Sequence, residues 1–220
     1  MRNVVVFGAG MTAELAAFYL THDAGRAVSA FTVDAAHSPG PVLHGRPVVP
    51  WEEIEGCFPP DTTEIFVAIG YARLNKLRRD KVAEVRAKGY QVSHYVSTRA
   101  TTFVDFTPAA NQFILENNTI QPFVRIGENV TLWSGNHIGH HSTIGEDTFI
   151  ASHVVVSGGV TVGPRCFIGV NATIRDGVTI GADCVIGAGS LILSDIPDNA
   201  VLSPSATEIS KVPSFRLRRI

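Results

Sequence analysis

Four of the eight histidines in this 220-residue sequence fall within 17 residues: His137, His140, His141 and His153. A neutral imidazole that titrates near neutrality is suited to take a proton from an attacking amine or hydroxyl, so one of these is a candidate general base. Two other readings stand beside it: metal ligation, and histidines that are solvated or cap turns. The three cysteines, Cys57, Cys166 and Cys184, are too few for a disulfide framework. Cys166 and Cys184 lack an adjacent base to make either a nucleophile.

A second constellation lies near the start. The apolar run Asn3–Phe7 leads into Gly8-Ala9-Gly10-Met11-Thr12-Ala13, and a second strand pattern, Val28–Val33, ends at Asp34. A GxGxxA loop between a strand and a helix, with an acid about 20 residues on, is the pattern of a mononucleotide-binding βαβ unit. Its backbone N–H groups at a helix N-terminus suit a phosphate. The bland alternative is a tight strand-to-helix turn with no ligand.

The elements that must position these residues are of two kinds. From Ile114 to Ile192, fourteen large aliphatic residues recur at every sixth position without a slip. Gly follows the aliphatic at 127, 139, 145, 163, 169, 181 and 187, and four residues after it the side chain is mostly small. Six is the wrong period for a helix stripe and too regular for ordinary strands. It fits short strands that turn and stack coil upon coil, one aliphatic per strand filling a shared core. Three strands make an 18-residue coil, so Cys166 and Cys184 should stack as buried thiols. The glycines are expected to supply backbone geometries that a Cβ would strain. In this register His140 and His141 are the third and fourth residues of the hexad opened by Ile138, on a turn rather than inside.

Ahead of the repeats, Glu64–Ile69 reads as a buried strand ending at Gly70, Tyr71–Lys88 as a charged helix and Tyr90–Tyr95 as a strand. Pro39-Gly40-Pro41 and Pro59-Pro60 mark loops. The expected organisation is a small Rossmann-like α/β domain over 1–98, then a parallel β-helix over 99–220 with a short tail. One such half is too short for NAD and long enough for a single nucleotide.

Net charge of −2 gives no footprint for nucleic acid. No apolar run approaches the ~18–20 residues of a membrane span, and the sequence opens on a strand pattern rather than a signal peptide, so a cytoplasmic protein with no membrane partner is expected. Arg216, Arg218 and Arg219 read as a solvated tail.

The Ile-Gly-x-x-small-x register resembles the hexapeptide-transferase superfamily, whose members fold as left-handed parallel β-helices and usually work as homotrimers. With the small domain in front, the chain resembles one branch, the bacterial nucleotide-sugar acyltransferases. These include sialic acid O-acetyltransferases and N-acetyltransferases of UDP-4-amino sugars. The shared marks are Phe7-Gly8-Ala9-Gly10, Gly45-Arg46-Pro47-Val48 before Trp51-Glu52-Glu53-Ile54, and Ala68-Ile69-Gly70. The resemblance implies a nucleotide-sugar substrate held at Gly8, Gly10, Thr12 and Asp34, with Gly70 a further contact. It implies acetyl-CoA, without a metal, in a groove between subunits of a homotrimer, touched by Gly158, Val170 and Ala188. It implies that His140, five residues before Gly145, is the base in a direct transfer of the acyl group. His141 stands where the family commonly has Glu or Asp, and Trp133 where it often has Asn; the catalytic pair here would be His140 and His141. By the same analogy the acceptor is an amine of a 4-amino-4,6-dideoxy sugar. Three alternatives stay open: O-acylation, a non-catalytic nucleotide-sugar binder, and a zinc enzyme like the carbonic anhydrases of this helical fold. The last wants an H-x4-H pair and a distant His, where the spacings here are 3, 1 and 12.

Overall fold

The computed structural model describes residues 2–209 and 212–216; Arg218 and Arg219 of the basic tail lie outside the described residues. The N-terminal part is a six-stranded sheet in the order β3-β4-β2-β1-β5-β6. Its strands are β1 (Asn3–Phe7), β2 (Val28–Val33), β3 (Val42–Leu43), β4 (Arg46–Pro50), β5 (Thr63–Val67) and β6 (Gln91–Val92). Only the β3–β4 pair is antiparallel. Helix α1 (Met11–His22) buries Ala13, Ala16, Ala17 and Leu20 against Val4, Val6, Phe31 and Phe66. A short helix, α2 (Ile54–Cys57), and α3 (Lys76–Ala87) cover the other side, where Ile54, Val82 and Val85 meet Val5, Phe7, Ile65 and Val67. The alternation Val4, Val6 against Val5, Phe7 is the period of two that sends neighbouring side chains to opposite faces. It makes a sheet buried on both sides.

Two elements differ from their expected bounds. The helix expected from Tyr71 starts only at Lys76, because Arg73, Leu74 and Asn75 take left-handed φ values of +53°, +52° and +64°. The strand expected over Tyr90–Tyr95 divides: Gln91–Val92 pairs with β5, whereas Tyr95–Val96 pairs with Phe113–Ile114 in the next part of the fold.

From Tyr95 the chain winds into a left-handed parallel β-helix of triangular section, each side a ladder of two-residue strands. Face I runs from Tyr95–Val96 through Thr131–Leu132, Phe149–Ile150 and Phe167–Ile168 to Val201–Leu202. Face II contains His137–Ile138, Val155–Val156 and Thr173–Ile174; face III contains Arg125–Ile126, Thr143–Ile144 and Thr161–Val162. Register holds at 18 residues, as in Phe149↔Phe167 and His137↔Val155. Of the fourteen aliphatics all but Ile126 are buried, and burial of each contributes roughly 1.5–3 kcal/mol. Cys166 and Cys184 stack within this core, and burial pushes the Cys166 thiol up to about 12.

The glycines after the aliphatics have a different cause from the one expected. It is close approach, not φ: a Cβ at Gly139 would stand 2.5 Å from the Ser157 carbonyl carbon in the coil above, and one at Gly145 2.5 Å from the Pro164 nitrogen. The left-handed residues sit two positions later, at the corners, where Asn, Asp, His and Gly are common: Asn129, Asp147, His141, His153, Gly159.

The α/β part docks on face I and on the corner between faces III and I. Arg78 of α3 is 2% exposed and donates from Nε to Asn129 Oδ1 (2.9 Å) and from an Nη to the Asn129 carbonyl (2.8 Å). Asn129 Nδ2 donates in turn to Asp147 Oδ1 at 2.7 Å. Asn111, one coil below, exchanges hydrogen bonds with both backbone groups of Val67 at the end of β5. A buried cation held by neutral oxygens, with its carboxylate one residue further off, commits α3 to this corner. On the other side, Tyr19 Oη donates to Glu116 at 2.6 Å.

Candidate active site

At the carboxyl ends of β1, β2 and β5, where open α/β sheets bind their ligands, lies a cavity of about 400 Å³. Its walls include Phe7, Gly8, Asp34, Ile69, Arg73 and Lys81. Gly8 has φ +135°, and a Cβ there would stand 2.7 Å from the Ala68 carbonyl oxygen, so only glycine lets β1 turn into α1 this close to β5. Lys81 reaches from α3 over the Phe7 ring (5.4 Å to the centroid) and donates to Asp34 Oδ1 and Glu84 Oε2, both at 2.8 Å. Burial alone would lower the Lys81 ammonium, and those two hydrogen bonds outweigh it, so its pKa is raised. Asp34 therefore enters the cavity held through Oδ1 by Lys81, with His37 Nδ1 4.0 Å from its Oδ2.

A second cavity, of about 320 Å³, lies between the α/β part and face I, on the side of the corner between faces I and II. Tyr71 roofs it, its ring 5.0 Å from Phe149 and 4.8 Å from Phe167, which are themselves stacked at 5.7 Å. Trp133, Ser152, Val170 and Ala188 complete the wall. The buried Trp133 Nε1 has no hydrogen-bond partner among the described residues. The segment Tyr71–Asn75 separates the two cavities, with Ala72 and Arg73 facing the first and Tyr71 the second.

The histidines do not converge. His153 is at the corner between faces I and II, stacked against Gly135, and His137 stands on face II. His140 and His141 are exposed at the corner between faces II and III, opposite the face that carries the α/β part. Their Nδ1 atoms are 3.1 Å apart, the rings nearly perpendicular at 87°. One of the two nitrogens must carry the proton and the other accept it. The His140 amide donates to Gln121 Oε1 at 2.9 Å, and the His141 ring lies 4.6 Å from Phe123. His140 lies over Gly158 of the coil above. Among the described residues no group of three or more His, Cys, Asp or Glu could hold a metal ion.

The profile of the family described as bacterial transferase hexapeptide (six repeats) matches residues 123–158 and 159–194. Residues 123–194 therefore carry the hexapeptide repeats of that transferase family. Among solved structures, perosamine N-acetyltransferase from Caulobacter crescentus, crystallised with CoA and GDP-perosamine, is 27% identical, with a TM-score of 0.81 over 91% of this chain and 93% of that one. The acetyltransferase domain of PglB from Neisseria gonorrhoeae is 23% identical, with a TM-score of 0.80 over 91% and 96%, a likeness of fold. No curated protein matches in sequence.

Within this transferase the expected site residues fall into separate groups. Gly8 and Asp34 line the first cavity; Thr12 Oγ1 lies 3.8 Å from the point a Gly70 Cβ would occupy, so those two flank the same loop, and Gly10 caps α1 with open space beside it. Val170 and Ala188 line the second cavity. Gly158 lies with His140 and His141 one corner away. Sequence reasoning missed Lys81, Arg73 and Tyr71. Nothing in their local sequence announces them, since each is brought in by how α3 and its leading segment pack. No helix among the described residues is long and apolar enough to cross a membrane.

Proposed function

We propose that the chain is an acetyl-CoA-dependent N-acetyltransferase of a nucleotide-linked amino sugar, of the 4-amino-4,6-dideoxyhexose type used in surface polysaccharides, working in the cytoplasm. The division of labour follows the two parts: residues 1–98 hold the nucleotide sugar and residues 99–220 carry out the transfer. The observation that carries the reading is the pair of cavities divided by Tyr71–Asn75. One sits at the Gly8 loop with Asp34, the other against Val170 and Ala188. An acceptor with its nucleotide in the first and its sugar across the divide meets an acyl-CoA in the second. The likeness to an enzyme crystallised with CoA and GDP-perosamine supports the same pairing of substrates.

The site is complete only between chains. His140 is at the II–III corner, whereas both cavities open on the far side of the β-helix. In a homotrimer the II–III corner of one copy faces the I–II corner of the next, and His140 reaches the neighbour's acyl-CoA. The sugar amine then attacks the thioester carbon, forming C–N as C–S breaks. His140 Nε2 takes the proton from the amine and returns it to the departing CoA thiolate. His141 Nδ1 accepts the His140 Nδ1 proton and so leaves Nε2 unprotonated and free to act. No acyl-enzyme forms.

The test is thiol release from acetyl-CoA with a panel of UDP-, GDP- and dTDP-linked amino sugars and their hydroxyl counterparts. Turnover with an amino sugar that is lost in His140→Ala is expected. Turnover with the hydroxyl sugars alone would favour O-acylation. No turnover with any acceptor, or full activity in His140→Ala, would overturn the reading.

A further inference from the structure

Three consecutive left-handed residues that are not glycine cost roughly 1–2 kcal/mol each, yet Arg73, Leu74 and Asn75 hold that conformation. Asn75 fixes the segment from below: it is wholly buried, and its Nδ2 donates to the Cys166 carbonyl of the β-helix at 3.2 Å. Arg78, one turn on, is locked to Asn129. The strained segment is thus set against the β-helix, and it stands as the ridge between the nucleotide cavity and the aromatic one.

The charges around this ridge are unequally engaged. Lys81 is taken by Asp34 and Glu84, and Asp34 by Lys81. Arg73 lines the same cavity and is exposed, and its guanidinium has no hydrogen-bond or ion-pair partner among the described residues. Near the start of the ridge is the N-terminus of the 12-residue α1, with Thr12 Oγ1 3.8 Å from where a Gly70 Cβ would stand. An unpaired guanidinium lining the cavity, with a helix N-terminus near the ridge that carries it, suits an anion with several oxygens.

We propose that Arg73 is the diphosphate-binding residue of this transferase, gripping the nucleoside diphosphate where it crosses from the first cavity to the second. This rests on the nucleotide-sugar reading above, in which the diphosphate is the part of the substrate that must cross the ridge. The guanidinium fork takes two phosphate oxygens at once, which an ammonium cannot match. The left-handed backbone at Arg73 fixes where the fork starts from, so the strain is repaid by placing the cation without rearrangement on binding.

The experiment is calorimetric titration of the full-length protein with UDP, GDP and dTDP and with the matching nucleosides. The nucleotide that binds is then repeated on Arg73→Ala, Arg73→Lys and Arg73→Gly. Loss of one charge-assisted contact predicts diphosphate affinity about 10- to 100-fold weaker in Arg73→Ala and Arg73→Gly, less in Arg73→Lys, with nucleoside affinity unchanged. Glycine tolerates the left-handed φ, so a loss seen in Arg73→Ala and absent in Arg73→Gly would trace to the backbone and overturn the assignment. Equal diphosphate affinity in all four proteins would overturn it too, while leaving the cavity a nucleotide site. No binding of any diphosphate to the unaltered protein would overturn both.

Discussion

The His140 ring rests on the bare Cα of Gly158, one coil above it: a Cβ at Gly158 would stand 2.7 Å from His140 Cε1 and 2.8 Å from Nε2. The absence of a side chain at 158 is therefore what leaves room for the imidazole where it lies. Gly158→Ala should fold, because the atoms it meets belong to an exposed side chain that can swing aside. The ring would be displaced by a few tenths of an ångström or more. Since misplacement by about 1 Å can cost on the order of 100-fold in rate, kcat should fall by at least about tenfold with the melting temperature nearly unchanged. A variant with full kcat would show that the ring's present position is not the working one.

The contact between His140 and His141 gives a second expectation. His141 must accept a proton at Nδ1 for His140 Nε2 to be free. Asn at 141 retains an acceptor oxygen and, like His, tolerates the left-handed φ of +60° found there. His141→Asn should therefore keep most of the turnover, and His141→Ala should lose about tenfold or more in kcat while KM for both substrates holds. Equal rates in the two variants would mean that His141 does not set the tautomer.

The repeat was legible in full because each hexad carries its own signal, an aliphatic that must point inward. The loop Gly8-Ala9-Gly10 and the acid Asp34 were legible for a similar reason, being local chemistry in a short unit. The arrangement of the site was partly encoded but needs the coil phase to decode. Residues 140 and 158 differ by one 18-residue coil and share a corner, as do 170 and 188. Residues 158 and 170 differ by twelve and so lie at different corners. What the sequence did not carry was the tertiary override at Arg73–Asn75. There, docking on the β-helix holds three residues out of the helix that their composition favours, and so sets Tyr71 and Arg73 at the cavities.

Acid should weaken the junction of the two parts through Asp23, at the end of α1. Burial alone would raise its carboxyl, but hydrogen bonds from the Thr98 hydroxyl, the Tyr95 phenol and the Thr98 amide outweigh it, and the pKa falls from 3.8 to about 2. A carboxylate depressed by folding stabilises fully above its unfolded pKa, and the gain disappears as pH drops through the folded value. The contribution is on the order of 2 kcal/mol, less some loss to solvent screening, present above about pH 4 and gone near pH 2. Denaturant midpoints measured from pH 5 to pH 2 should fall more steeply for the native sequence than for Asp23→Asn. Parallel curves would remove Asp23 from the acid response.

If the site is shared between subunits, as proposed, mixed assemblies should do what no single-chain site allows. His140→Ala removes the base from one corner and leaves both cavities whole. Val170→Trp fills the second cavity, where Val170 is 44% exposed, and leaves His140 untouched. Each variant alone should be inactive. Unfolded together in equal amounts and refolded, they form mixed assemblies in which some interfaces pair an intact His140 with an intact neighbouring cavity. If each site draws its base and its cavity from different copies around a closed ring, random mixing gives about a quarter of native turnover. A site contained in one chain gives none at any mixing ratio, because every chain then carries one of the two lesions. Activity that appears on mixing, and grows with the fraction of mixed assemblies, requires that His140 serve the substrate held by its neighbour.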